Sequence, residues 1–239
     1  MKDIQNQEDH RRINIKKVGV KTISYPVTVL DKARSKQHTI ATINMYVNLP
    51  HQFKGTHMSR FVEILNRFHG AIDIARLRHI LEEMKEKLEA EAAHIEMSFS
   101  YFLTAKQEDP KTLKSSRYEC CMHGSLEVED DLELRVEVPV SLSLTEETGQ
   151  GLPRSLGHWG KVVTAVKFRN FIWIEDIITL IEKAIDQERS HGQNAMSVES
   201  LIRRVAKSLE EEAAIKWFSL KVQNLAEGYS TFAAMESVK

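Results

Sequence analysis

The chain has 239 residues, 42 % of them hydrophobic and 28 % charged, with 33 basic side chains against 34 acidic ones and a formal net charge of −1. That composition suits a globular protein with one large domain or two small ones, and its balanced charge sets up no field toward nucleic acid or an anionic membrane. The polar opening at residues 1–12 is neither a signal peptide nor an anchor, and no apolar run nears the ~18 residues of a membrane span, so a cytoplasmic location is expected.

Two apolar stretches follow the polar arm, at 13–29 and 38–49. In the second, Ala41, Ile43, Met45, Val47 and Leu49 alternate with polar or small residues, the period of a half-buried strand. Ser59 is placed to cap a short helix running to Phe68, and Asp73 to open a longer one. In that second helix Ile74, Leu77, Leu81, Met84 and Leu88 recur at helical steps. The charges at 82–87 then read as a solvated helix face. Strand patterns return at 94–104 and 117–126, separated by a charged, proline-containing loop at 106–116. The two cysteines, Cys120 and Cys121, are adjacent in the second of these. Neighbours in a strand face opposite ways, which suits neither a disulfide nor a shared zinc ion.

A second round begins at Leu132, where apolar residues alternate cleanly to Leu144 while Glu133, Arg135 and Glu137 face away. Residues 145–160, with four glycines and a proline, read as a loop. Residues 161–171 read as a strand. Ile174, Ile177, Ile178, Ile181 and Ile185 mark a helix with Glu175 and Asp176 in its first turn, as the helix dipole favours. Val198, Leu201, Ile202, Val205 and Leu209 mark another. Strands at 215–224 and 229–235 finish the chain.

The order strand–strand–helix–helix–strand–strand therefore occurs twice. LEAEAA at 88–93 and LEEEAA at 209–214 both join a helix to a strand. Met97, Phe99 and Tyr101 then match Phe218, Leu220 and Val222 in phase, so a duplicated unit is expected. The expected fold is α+β, with antiparallel sheets backed by paired helices. The expected divisions are an arm at 1–12 and modules at 13–128 and 129–239. Unprotected sheet edges are hazardous, so edge-to-edge assembly into barrels is also expected, and with it an oligomer.

The segment from Lys54 to Glu63, KGTHMSRFVE, resembles the signature of the type IB GTP cyclohydrolases. Val18-Gly19-Val20, Tyr25-Pro26, Val138-Pro139-Val140, Ile172-Trp173-Ile174-Glu175-Asp176 and Ser197-Val198-Glu199 add to the resemblance, which spans roughly residues 14–236. It implies a bimodular tunnelling fold. It also implies an enzyme that uses a divalent metal (Zn, Mn or Fe) to open the imidazole ring of GTP and release formate on the way to a pterin, in folate synthesis. Such chemistry needs a Lewis acid, proton carriers and a carboxylate against the guanine edge. The resemblance makes His57 and His158 candidate catalytic residues, His158 matching the family's histidine metal ligand. Lys54, Arg60 and Glu199 become substrate-binding residues, Glu199 facing the guanine edge.

The chain also departs from that pattern. The family's Cys-Pro-Cys-Ser-Lys stretch is replaced after Val140 by SLSLTEE, with no cysteine near. Trp159-Gly160-Lys161 stands where Asn-Gln-Arg is expected after His158. An insertion between Trp173 and Glu199 is largely absent, and the closing histidine motif is replaced by AEGYST. His158 alone remains of the ligand set, with Glu146 and Glu147 as the carboxylates that could rebuild a site around it. Each residue has a plainer reading too: a loop histidine for His158, an acidic loop for Glu146 and Glu147, a helix-dipole partner for Glu199, and a structural junction for Lys54, His57 and Arg60. Three functions follow as expectations. The first is a hydrolase acting on GTP or a related cyclic amidine. The second is a non-catalytic paralogue that binds a purine or pterin, or partners a homologue in a hetero-oligomer. The third is a sister reaction such as nitrile reduction, which would require a cysteine nucleophile.

Overall fold

The computed structural model describes residues 15–50, 57–68, 74–104, 115–141, 158–190, 196–226 and 228–237. Its elements are β1 (Ile15–Asp31), β2 (Ser35–Leu49), α1 (Met58–Arg67), α2 (Ile74–Lys87), β3 (Ala92–Thr104), β4 (Ser115–Leu126), β5 (Asp130–Ser141), β6 (His158–Phe168), α3 (Ile174–Ser190), α4 (Val198–Glu210), β7 (Ile215–Ala226) and β8 (Tyr229–Glu236). The fold is α+β, and the order strand–strand–helix–helix–strand–strand occurs twice, as the patterning predicts. The chain divides into two compact units, Met1–Leu134 and Arg135–Lys239.

In the first unit β1, β2, β3 and β4 pair antiparallel in sequence order. The alternation read from the sequence is the burial pattern: Ala41, Ile43, Met45 and Val47 are fully buried, as are Ala93, Ile95 and Met97 on β3. Leu77, Ile80, Leu81 and Met84 bring the apolar stripe of α2 against this face, where Leu81 and Leu77 lie over Gly124 of β4. Burying a side chain of this size contributes roughly 1.5–3 kcal/mol, so the stripe outweighs a helix sequence that carries many charges. The β1–β2 hairpin closes on the buried Asp31, whose carboxylate accepts from the backbone N–H groups of Ala33 (2.9 Å) and Arg34 (2.6 Å) and from the Gln37 amide (3.1 Å).

Four expectations need correction here. The N-cap of α1 is His57, in extended backbone (φ −75°, ψ 116°), and Ser59 lies inside the first turn with no capping role. The Glu82–Lys87 cluster is only partly a solvated face. Glu83 takes Arg67 of α1 at 2.5 Å as well as Lys87, so its charge laces two helices together. β6 begins at His158 and ends at Phe168, so His158 stands at a strand start where a loop was expected, and residues 169–171 lie outside the strand. Asp73 and residues 142–144 lie outside the described residues.

In the second unit β6 pairs with β7 and β7 with β8, again antiparallel. Ile177, Ile178 and Ile181 of α3 and Leu201 and Val205 of α4 are fully buried. Ser197 caps α4 reciprocally: its hydroxyl accepts from Ser200 N–H at 3.1 Å, and the Ser200 hydroxyl accepts from Ser197 N–H at 3.2 Å. Thr164 of β6 stands among Val162 and Val166, wholly buried, and among the described residues its hydroxyl has no hydrogen-bond partner. An orphaned buried hydroxyl costs on the order of 1–3 kcal/mol. Thr164→Val, which keeps the shape and removes the polar atom, is expected to raise the thermal midpoint by a few degrees, about 2–4 °C per kcal/mol in a chain this size. A lower midpoint in a melting experiment would show that the hydroxyl has a partner.

Candidate functional site

The start of α1 holds two of the basic residues that the sequence singles out, His57 and Arg60. His57 is half-buried, and its carbonyl accepts from Arg60 N–H at 3.1 Å, closing the first turn. That turn carries no acidic side chain, so the positive end of the helix dipole is not offset by a carboxylate of its own turn. Arg60 is also half-buried, and its guanidinium donates to the backbone carbonyl of Lys87 at 3.1 Å. One of its five N–H groups is thereby committed within the protein. Lys54 lies outside the described residues. Of this set the structure therefore brings together His57 and Arg60.

In the second unit Glu199 stands exposed in the first turn of α4, immediately after the Ser197 cap. The cap fixes the helix start without using Glu199, which leaves its carboxylate facing solvent and able to accept two N–H groups. The backbone of His158 opens β6. Glu146 and Glu147 fall outside the described residues, as does the side chain of His158.

The sequence reading did not single out one further chemistry-bearing group. On the first sheet, the face away from α2 carries a row across β2, β3 and β4. Tyr46 stacks on His94 with ring centres 4.8 Å apart and planes 15° apart, and Lys17 Nζ lies 3.5 Å from the Tyr46 ring centre. Asn44 holds Glu96 at 2.9 Å, and Glu96 pairs across the sheet with His123. The signal for this row was available, since these residues occupy the alternate positions that the apolar pattern leaves over. Burial, then His123 and Lys17, hold the His94 imidazole below its ordinary value, with Glu127 opposing. The unfolded chain therefore binds this proton more readily than the folded one. The stability His94 contributes is full above pH ~6.5, the ordinary imidazole value, and is lost as pH falls below it. Between pH 7 and 5.5 the wild type is expected to lose more of its thermal midpoint than His94→Asn. Parallel curves for the two proteins would contradict this.

Comparison with known proteins decides what family carries these features. The family described as Type I GTP cyclohydrolase folE2 matches residues 1–227. Proteins named GTP cyclohydrolase FolE2 align along the whole chain. The one from Syntrophobacter fumaroxidans is 40 % identical over 257 aligned positions, covering 100 % of both chains. The one from Syntrophus aciditrophicus is 44 % identical over 244, covering 94 % of each. The chain belongs to the type I GTP cyclohydrolase FolE2 family. Among solved structures, the urate oxidase of Bacillus sp. TB-90 superposes with a TM-score of 0.58 at 11 % identity, covering 94 % of this chain and 100 % of that one. The uricase of Arthrobacter globiformis gives 0.57 at 7 % identity, covering 92 % of each. At these identities the likeness is one of fold. The 257 positions aligned with the Syntrophobacter FolE2 exceed the 239 residues here, so that relative carries segments with no counterpart in this chain.

The divalent ion implied by the FolE2 resemblance finds no cage among the described residues. No three His, Cys, Asp or Glu side chains among them lie close enough together to hold a metal. The cysteines do not supply one. Cys120 is buried, and its thiol is pushed far above the ordinary range by burial and by Glu119, whereas Cys121 is partly exposed on the opposite face of β4. A buried thiol that resists ionisation is a poor ligand and a poor nucleophile. Among the described residues no helix is long and apolar enough to cross a membrane.

Proposed function

We propose that this FolE2 family member binds GTP by its guanine edge and hydrolyses the imidazole ring with release of formate. The observation that carries this reading is the 40 % identity, without loss of coverage at either end, to a protein named GTP cyclohydrolase FolE2. Glu199 accepts the ring N–H and the exocyclic amine of guanine. Lys54 binds the phosphates as a point charge. His57 carries the protons that ring opening moves: one water adds at the carbon between the two imidazole nitrogens and opens the ring to a formamide, a second water releases formate, and each nitrogen is protonated as its bond to that carbon breaks. A divalent ion, where bound, would supply the Lewis acidity for that water. His158 with Glu146 and Glu147 is the donor set proposed for it, in place of the thiolates the chain lacks.

A second reading has its own observation. The only two cysteines of the sequence fall on opposite faces of β4, and none follows Val138-Pro139-Val140, where the resemblance places thiolate ligands. On that reading the chain is a non-catalytic paralogue that binds a purine or pterin, or partners a homologue. Isothermal titration with GTP, run beside a formate assay in the presence of Zn, Mn or Fe(II), separates the two. Binding with turnover supports the hydrolase, and binding without turnover supports the paralogue. Absence of both removes the purine assignment.

The proposed working form is an oligomer built through β8. Tyr229 and Phe232 on that strand are 68 % and 62 % exposed, and Leu225 beside them on β7 is 53 % exposed, a large apolar cost for a strand left in water. Sedimentation of the purified chain tests this, and a monomer at all concentrations would sink it.

A further inference from the structure

We infer that Arg60 is a positioning residue, which completes the capping of α2 and thereby holds the first turn of α1 and the backbone of His57 in place. The end of α2 shows why a side chain is needed there. The chain leaves the helix through Glu89 in the left-handed region (φ 49°). Glu89 N–H then reaches back to the Glu86 carbonyl at 3.3 Å, Ala90 N–H to Lys85 at 2.9 Å, and Leu88 N–H to Met84 at 3.1 Å. This reversal satisfies three of the carbonyls that a helix leaves open at its C-terminus. The Lys87 carbonyl comes after them, and Arg60, 27 residues earlier in the chain, donates to it at 3.1 Å. A guanidinium there also brings positive charge to the negative end of the helix dipole.

The same arginine is tied locally, since its N–H donates to the His57 carbonyl. One residue therefore connects the N-cap of α1 with the C-terminus of α2. A second connection lies at the far end of α1, where Arg67 meets Glu83 at 2.5 Å. With both turns laced to α2, the orientation of α1 is set from outside the helix, and the placement of its N-cap, His57, is set with it. A lysine could bring the charge but not the planar fork that fixes direction. The role rests on the proposal that His57 belongs to the site.

The test compares wild type, Arg60→Lys and Arg60→Ala. Backbone hydrogen exchange is read at residues 58–61 and 86–90, together with affinity and turnover for GTP and for guanosine, which lacks the phosphates. The expected result is faster exchange at both helix ends in Arg60→Ala. A loss of about tenfold should accompany it, of similar size for GTP and guanosine, because displacing a catalytic group acts on both. Arg60→Lys should fall between. Unchanged exchange at 86–90, or a loss seen with GTP and absent with guanosine, would overturn the inference and make Arg60 a phosphate ligand. If the wild type neither binds nor converts GTP, the functional reading fails by itself, and the exchange pattern decides the role of Arg60 alone.

Discussion

Replacing Glu199 by alanine is expected to abolish guanine recognition while leaving the fold intact. The carboxylate is exposed, and the α4 start is secured by Ser197 and Ser200, not by Glu199. Folding therefore loses only the favourable placement of an acid near a helix N-terminus, about 0.3–1 kcal/mol. Binding loses far more. A carboxylate accepting two N–H groups contributes two charge-assisted hydrogen bonds of about 1.5–3 kcal/mol each, so affinity for GTP should fall on the order of a hundredfold or more. Inosine triphosphate, which lacks the exocyclic amine, sharpens the experiment. Wild type should prefer GTP over it, and Glu199→Ala should bind both equally weakly. An unaltered preference in the variant would return Glu199 to the helix-dipole role that its position also allows.

Gly160→Ala should damage the second unit more than any other small substitution considered. Gly160 pairs with Asn224 across β6 and β7, and a Cβ at this position would lie 1.8 Å from the Gln223 carbonyl oxygen and 2.8 Å from its carbon. Neither atom is the end of a flexible side chain, so the strands themselves must separate. Glycine in a strand interior commonly marks such a close backbone approach. The expected cost is about 3 kcal/mol, at the upper end of overpacking effects, seen as a fall of roughly 6–12 °C in the thermal midpoint. Gly124→Ala is the control, because its Cβ would meet only leucine side chains, at 3.0–3.2 Å. Equal losses in the two variants would mean that the backbone at Gly160 can yield.

The elements were legible wherever one apolar period ran long enough to dominate. The Ile174–Ile185 stripe and the alternation from Ala41 to Leu49 both name their element and its buried face, because burial of those side chains is the largest favourable contribution there. The opposite facing of Cys120 and Cys121 followed from strand geometry alone. What could not be read depends on backbone atoms. Ser59 looks like a cap by residue type, yet the chain turns extended at His57, two residues earlier, and no side chain announces that change. His158 follows a glycine- and proline-bearing stretch, which hides the start of a strand whose partner, β7, lies some sixty residues on. The Arg60 partner is a carbonyl, the same atom on every residue, so sequence alone could offer only its charge. Of the candidate site, residue types and local positions were legible at His57, Arg60 and Glu199. Their bonding was not, because it is set by tertiary contacts and cap geometry.

The most direct test of the central claim is a single incubation. Pure protein supplied in turn with Zn, Mn and Fe(II) is given GTP, and released formate is measured together with pterin fluorescence after oxidation. Formate appearing in step with the loss of GTP, and lost in Glu199→Ala, is the result predicted. GTP recovered intact from folded wild-type protein under every metal would contradict the assignment as a cyclohydrolase.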